Sequence, residues 1–222
     1  MAGAYLFLKR HLPRCSYRTS SHSINHHGWF TLPSNHRSFS TFLVSPRDLH
    51  KALRISPSSI SQEPRKPRII PICATWFPDD DSEGRTGIQA FREKRIPKAR
   101  FFDLNRVINA HSPYPHILPG AVDFAASMSE LGIRKEDTLV VYDAEKLGIF
   151  SALRVGWMLK AFGHPKVHIL NNFRLWAEQD LPIENGAIHD FEPCTYPVPM
   201  PGEAKLASFE DVREANMYYS KD

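Results

Sequence analysis

Between residues 43 and 190, short apolar runs alternate with stretches of helical periodicity. Thr138-Leu-Val-Val-Tyr142 is brief and rich in β-branched and aromatic side chains, which fits a strand buried on both faces. Residues 149–160 repeat apolar positions at three- and four-residue spacing and stop before Gly163, as a helix closed by glycine does. The same alternation recurs on either side. Ser45-Pro-Arg-Asp48 is a capping-box start for a helix running to about Arg54. Residues 56–67, rich in Ser and Pro, read as a loop. Ile69-Ile-Pro-Ile-Cys-Ala74 reads as a strand in which Pro71 implies an edge position or a strand start. A short amphipathic helix over 87–95, a strand over 100–104, a helix over 120–131, a strand over 167–170 and a helix over 173–179 follow. This order predicts an α/β domain, a central parallel sheet with helices on both faces.

Ligands of such sheets gather at the carboxyl ends of the strands. There, strand 138–142 runs into Asp143-Ala-Glu-Lys-Leu-Gly148 and then into a helix. That arrangement aims loop N–H groups and the positive end of a helix dipole at one point, where an anionic nucleophile or ligand sits well. The first loop residue is Asp143, not Cys or Ser. The three cysteines, Cys15, Cys73 and Cys194, are widely spaced and odd in number, so neither a disulfide framework nor a zinc site is expected. Cys73 reads as a small core residue and Cys194 as an exposed, weakly reactive one. No Cys-x5-Arg loop exists, which removes a Cys-dependent phosphatase. Asp79-Asp-Asp81 reads as a solvated charge run, and Arg154 as the partner of a structural carboxylate. No cofactor and no metal are expected.

Charge divides the chain. Residues 1–47 carry six Lys/Arg and no acid, so residues 48–222 sum to −2, which argues against nucleic-acid binding. No run of 18 apolar residues occurs, so no membrane span is expected. Residues 1–42, basic, hydroxyl-rich and acid-free, read as a transit peptide for the mitochondrial matrix, with a cytoplasmic pool as an alternative. His-Arg-Ser-Phe-Ser-Thr resembles a matrix-protease site and places cleavage near Phe39 and Ser40. The five histidines of this segment are irregularly spaced, so no metal role is expected of them. Residues 43–190 form the domain, and 191–205 a Pro-rich linker. Leu206-Ala-Ser-Phe-Glu-Asp211-Val then echoes Leu43-Val-Ser-Pro-Arg-Asp48-Leu, so 206–222 reads as the start of a second copy of the domain that is cut off.

Several segments, in order, resemble one family. Ala74-Thr-Trp-Phe77, Arg95-Ile-Pro-Lys-Ala-Arg-Phe-Phe-Asp103, Ser112-Pro-Tyr-Pro-His-Ile-Leu-Pro119, Val141-Tyr-Asp143, Gly148-Ile-Phe-Ser-Ala-Leu-Arg154 and Phe162-Gly-His164 are similar to the amino-terminal domain of the thiosulfate and 3-mercaptopyruvate sulfurtransferases, the rhodanese family. The resemblance covers about residues 43–216 and implies a rhodanese-like fold in tandem with a second rhodanese domain. In that family the second domain carries a nucleophilic cysteine and the first has lost it, and Asp143 stands at the equivalent place here. The implied chemistry passes sulfur from thiosulfate or 3-mercaptopyruvate, through a cysteine persulfide, to a thiol or other thiophilic acceptor.

The resemblance also implies a relay between domains. His116 matches a histidine thought to share protons with a carboxylate and a serine, but Asn105 stands where the carboxylate belongs. An amide orients an imidazole without stabilising its cation, so His116 and Asn105 are candidate relay residues, with a turn-capping role for His116 as the alternative. Lys98 replaces a common glycine, Leu153 stands where the family has an alanine-proline-arginine run, and Asn171-Asn172 replace an Asp-Gly-Gly turn. Two readings stay open. One is the non-catalytic half of a sulfurtransferase. The other is a stand-alone, catalytically inactive rhodanese-like module that binds a partner or an anion at the Asp143 loop.

Overall fold

The computed structural model describes residues 39–55, 67–114, 116–200 and 209–219. The basic leader before residue 39, the Ser/Pro loop and the first residues of the repeated segment lie outside the described residues. Five parallel strands form one sheet in the order β1-β5-β4-β2-β3: β1 (Leu43–Val44), β2 (Ile69–Cys73), β3 (Arg100–Phe101), β4 (Thr138–Tyr142) and β5 (Val167–Leu170). The helices are α1 (Pro46–Ile55), α2 (Gly87–Glu93), α3 (Ala121–Glu130), α4 (Phe150–Ala161), α5 (Phe173–Glu178) and α6 (Phe209–Tyr219).

Alternation along the strands makes two cores. Ile70, Ile72, Leu139, Val141, Val167 and Ile169 face one side and pack on Phe124 and Met128 of α3 and on Val155 and Met158 of α4. Val44, Cys73, Val140, Tyr142 and Leu170 face the other and pack on Leu49 of α1, Phe91 of α2, and Phe173 and Trp176 of α5. Because β4 is buried on both faces, its sequence runs apolar without polar alternation.

Local chemistry sets the element ends. Ser45 Oγ accepts the Asp48 N–H at 3.2 Å and Pro46 opens α1, as the cap sequence requires. Thr86 and Gln89 close a reciprocal capping box at α2. Gly87 is required there, since a Cβ would lie 1.9 Å from the Thr75 carbonyl oxygen. Lys98 and Asn172 hold positive φ values of 61° and 48°, at the turns where the resemblance leads one to expect glycine.

Three sequence expectations change. Pro71 sits inside β2, which is flanked by two strands rather than at the sheet edge. The proline is tolerated because β3 is short: its pairing with β2 begins at Ile72, so the β3 side of Pro71 is open. The strand expected over 100–104 is only Arg100–Phe101, since Phe102 turns away after donating its N–H to the Cys73 carbonyl. Cys194, expected exposed, is half-buried, and its Sγ meets the Ile133 carbonyl at 3.0 Å.

The segment carrying Cys194 is docked rather than free. Tyr196 is buried in the first core, its N–H bonds to Ser129 Oγ, and its hydroxyl lies 2.9 Å from His164 Nδ1. At the other end of the domain, Phe39 packs edge-on against His168, so folded contacts begin upstream of Leu43. The described side chains of α6 are exposed.

Candidate functional site

The chain leaves β2 toward β3 and, after α3, crosses back to β4 on the other side of β2. Such reversals open a crevice at the carboxyl ends of the two diverging strands. Here those ends deliver Thr75 and Asp143, the second where the sequence places it. Ala144 N–H donates to Thr75 Oγ1 at 2.6 Å, joining the loop after β4 to the loop after β2. Cys73 Sγ sits 3.2 Å from the same hydroxyl, buried, and burial pushes its thiol up to about 11. Cys73 is therefore an inert core thiol at neutral pH.

Asp143 is fully buried. Its Oδ2 accepts the Ala152 N–H at 2.9 Å, and its Oδ1 has no partner. Ile149, at the start of α4, offers no side-chain cap, so Asp143 supplies the cap from across the loop. The loop amides and helix end that the sequence points at an anion are thus answered by the chain's own carboxyl. Burial pushes that carboxyl up to about 6, against the opposing pull of the Ala152 and Ser151 N–H groups.

A second group lies beyond Thr75. Trp76 Nε1 donates to Asn105 Oδ1 at 2.9 Å, and the His116 ring stands edge-on to Trp76 at 4.8 Å. His116 holds φ 55°, and its Nδ1 is buried without a partner. No hydrogen bond joins Asn105 to His116; Trp76 brings the two together. Sequence reasoning missed Trp76 and Thr75, although their place just past β2 at the strand crossover was the signal. Arg154 does not pair with a carboxylate among the described residues. Its guanidinium donates to the His116 carbonyl and stacks on Trp157 at 4.8 Å, because α4 runs beside the His116 turn.

The acidic run is only partly solvated. Asp81 is held by Arg85 at 2.7 Å, which keeps its carboxyl down at about 2, while Asp79 and Asp80 stay exposed. Asp79 and Asp81, with Trp76, Asp103 and Asn105, line a cavity of about 250 Å³. Among the described residues no cluster of His, Cys, Asp and Glu has the makings of a metal site, and no helix is long and apolar enough to cross a membrane.

No family model matches the sequence. Known sulfurtransferases do. Thiosulfate sulfurtransferase TUM1 of Saccharomyces cerevisiae is 40% identical over 127 residues, 57% of this chain and 40% of that protein. The human 3-mercaptopyruvate sulfurtransferase is 35% identical over 182 residues, 78% of this chain and 58% of that protein. The crystal structure of yeast Tum1 superposes with a TM-score of 0.67 at 31% identity, over 79% of this chain and 56% of that one. The chain belongs to the rhodanese family of sulfurtransferases. Its sheet with helices on both faces is the rhodanese fold. A further relative, thiosulfate/3-mercaptopyruvate sulfurtransferase 1 of Arabidopsis thaliana, is mitochondrial and 40% identical over 127 residues, 57% of this chain and 32% of that protein. The chain spans about half the length of the curated relatives it matches.

Proposed function

We propose that this chain is the non-catalytic rhodanese half of a thiosulfate/3-mercaptopyruvate sulfurtransferase, and that the persulfide-forming cysteine belongs to a second rhodanese domain. Asp143 carries the proposal. It stands where the strand-loop-helix geometry calls for a thiolate, and it is buried, capping α4. A carboxylate cannot carry sulfane sulfur, and this one leaves no vacancy for an anionic donor. That occupancy weighs against the reading of a stand-alone module that binds an anion at the same loop.

What the chain contributes in this reading is one wall of a cleft. Phe150, Leu153 and Trp157 lie on one face of α4 and are 70%, 47% and 40% exposed, and Tyr114 and Ile117 stand exposed nearby in sequence to His116. An apolar face of this kind at the ligand end of the sheet suits burial against a partner domain. His116 and Asn105 would face the donor there, with His116 positioned by Trp76 and by the Arg154 bond to its carbonyl. Residues 206–222 would begin the partner domain, and the basic leader would direct the protein to the mitochondrial matrix.

The test is persulfide formation. The full chain incubated with thiosulfate or 3-mercaptopyruvate should show no added sulfur by intact mass, whereas a second rhodanese domain supplied in trans should acquire it. Cys73 is too buried to react and Cys194 is also held up by burial. A stoichiometric sulfur adduct on one cysteine of this chain, discharged by cyanide, would overturn the proposal.

A further inference from the structure

At the opposite end of the sheet from Asp143, a cavity of about 230 Å³ opens beside the amino-terminal halves of β2 and β3. Its walls are apolar, with Leu53 of α1, Ile70 of β2, Trp176 of α5 and Phe191 of the docked segment among them. Among the described residues its charged lining is all of one sign: Arg54, Arg68, Lys98 and Arg100 border it with His50, and no described carboxylate does.

Arg100 is the unusual member. It is 5% exposed, yet no acid among the described residues pairs with it. The nearby Asp137 is taken by Arg68, at 2.5 Å through Nη2 and 3.1 Å through Nε. Arg100 stacks on Phe191 at 4.4 Å and donates one N–H to the Leu131 carbonyl, and its Nε is buried with no partner. Burial and the Arg68 charge pull the guanidinium down to about 10, so it remains a cation at neutral pH. A buried cation without a counter-ion is costly, and an anion in the adjoining cavity would offset that cost. Arg54 and Lys98 are exposed at the rim and have no ion-pair partner among the described residues, so they add attraction without being spent elsewhere.

We propose that this cavity is a binding site for a small organic anion with a flat apolar body, its carboxylate meeting Arg100 and the rim cations and its body lying between Leu53, Trp176 and Phe191. The arrangement has the two features of a small-molecule site, an apolar enclosure and a few convergent polar groups. It is independent of the sulfurtransferase reading, since the cavity and the Asp143 loop lie at opposite ends of the strands.

Titration of the full chain with 2-naphthoate, followed by calorimetry and by the tryptophan indole N–H resonances, tests the proposal. Saturable one-to-one binding is expected, shifting the Trp176 indole, whose N–H donates to Pro182 at 2.9 Å, and not those of Trp76 and Trp157. The neutral isostere 2-naphthamide should bind about ten-fold more weakly, and Arg100→Met should cost the acid about the same factor. The exposed double change Arg54→Gln with Lys98→Gln leaves the fold intact and should weaken binding about three-fold, with a shallower salt dependence. It decides the matter with the amide comparison if the Arg100 variant fails to fold. Absence of saturable binding, equal affinity for acid and amide, or shifts confined to Trp76 and Trp157 would overturn the proposal.

Discussion

Replacing Asp143 with asparagine should make this protein progressively more stable than the parent as pH rises from 4 to 8. The parent buries a carboxyl whose folded-state pKa is about 6, against about 3.9 in an unfolded chain. Because the folded value is the higher one, the folded state holds this proton more tightly. Its stabilising contribution is complete below pH 4 and is lost as pH climbs through 6. A gap of roughly two units makes the loss about 3 kcal/mol by pH 8. Asparagine keeps the shape and the acceptor for Ala152 N–H but never ionises. Its amide sits where Asp143 Oδ1 has no partner, a cost the protonated acid shares, so it enters as a pH-independent offset. Urea denaturation of both proteins across that pH range should therefore show a stability difference growing by about 3 kcal/mol, or roughly 6–12 °C in Tm for a domain of this size. His164 and His168, which burial pulls below the usual histidine range, titrate in both proteins and cancel in the difference. A difference that is flat with pH, or that turns against asparagine as pH rises, would refute the reasoning. It would mean that the loop amides and α4 dipole hold the ionised form well, as a working anion site does.

Two further outcomes are expected. Gly132→Ala should cost about 1–3 kcal/mol and speed hydrogen exchange around Tyr196, because Gly132 holds φ 59° and its added Cβ would lie 2.4 Å from the Glu192 carbonyl oxygen of the docked segment; unchanged protection there would show that the close approach is unimportant. Residues 1–39 fused to a fluorescent protein should direct it to mitochondria, and Arg10, Arg14 and Arg18 changed to Glu should abolish import; a diffuse signal from the unaltered leader would refute the targeting reading.

The fold was legible wherever one local pattern decided an element. β4 and α4 were readable because a five-residue apolar run and a twelve-residue helical repeat admit one interpretation each. The misreadings share a cause, which is dependence on what lies across the sheet. Pro71 follows the usual rule for strand proline, but the length of β3 decides which side of β2 is open. Cys194 reads as exposed because proline-rich segments usually are, and Tyr196 overrides that by burying its ring beside His164. At the site, Asp143 could be placed from its strand, whereas the long-range contacts of Trp76 with Asn105 and His116 bridge residues 29 apart in one case and 40 in the other.

Arg100 is the sharper instance of the same limit. In sequence it does no more than open a strand. In the structure the carboxylate nearest to it is taken by Arg68 in a pairing between distant segments, and this leaves the buried cation without an ion pair of its own among the described residues. The two ends of the sheet thus pose opposite electrostatic problems. At the carboxyl end a carboxyl group occupies its own anion-binding geometry and is penalised for ionising; at the amino end a guanidinium is charged and has no ion-pair partner among the described residues. Folding alone would favour a neutral side chain at both places. The Asp143 variant measures the first penalty directly, and naphthoate binding measures whether the second is relieved by a ligand. Stabilisation by asparagine together with saturable binding at Arg100 would locate the small-molecule chemistry of this chain at the end of the sheet remote from Asp143.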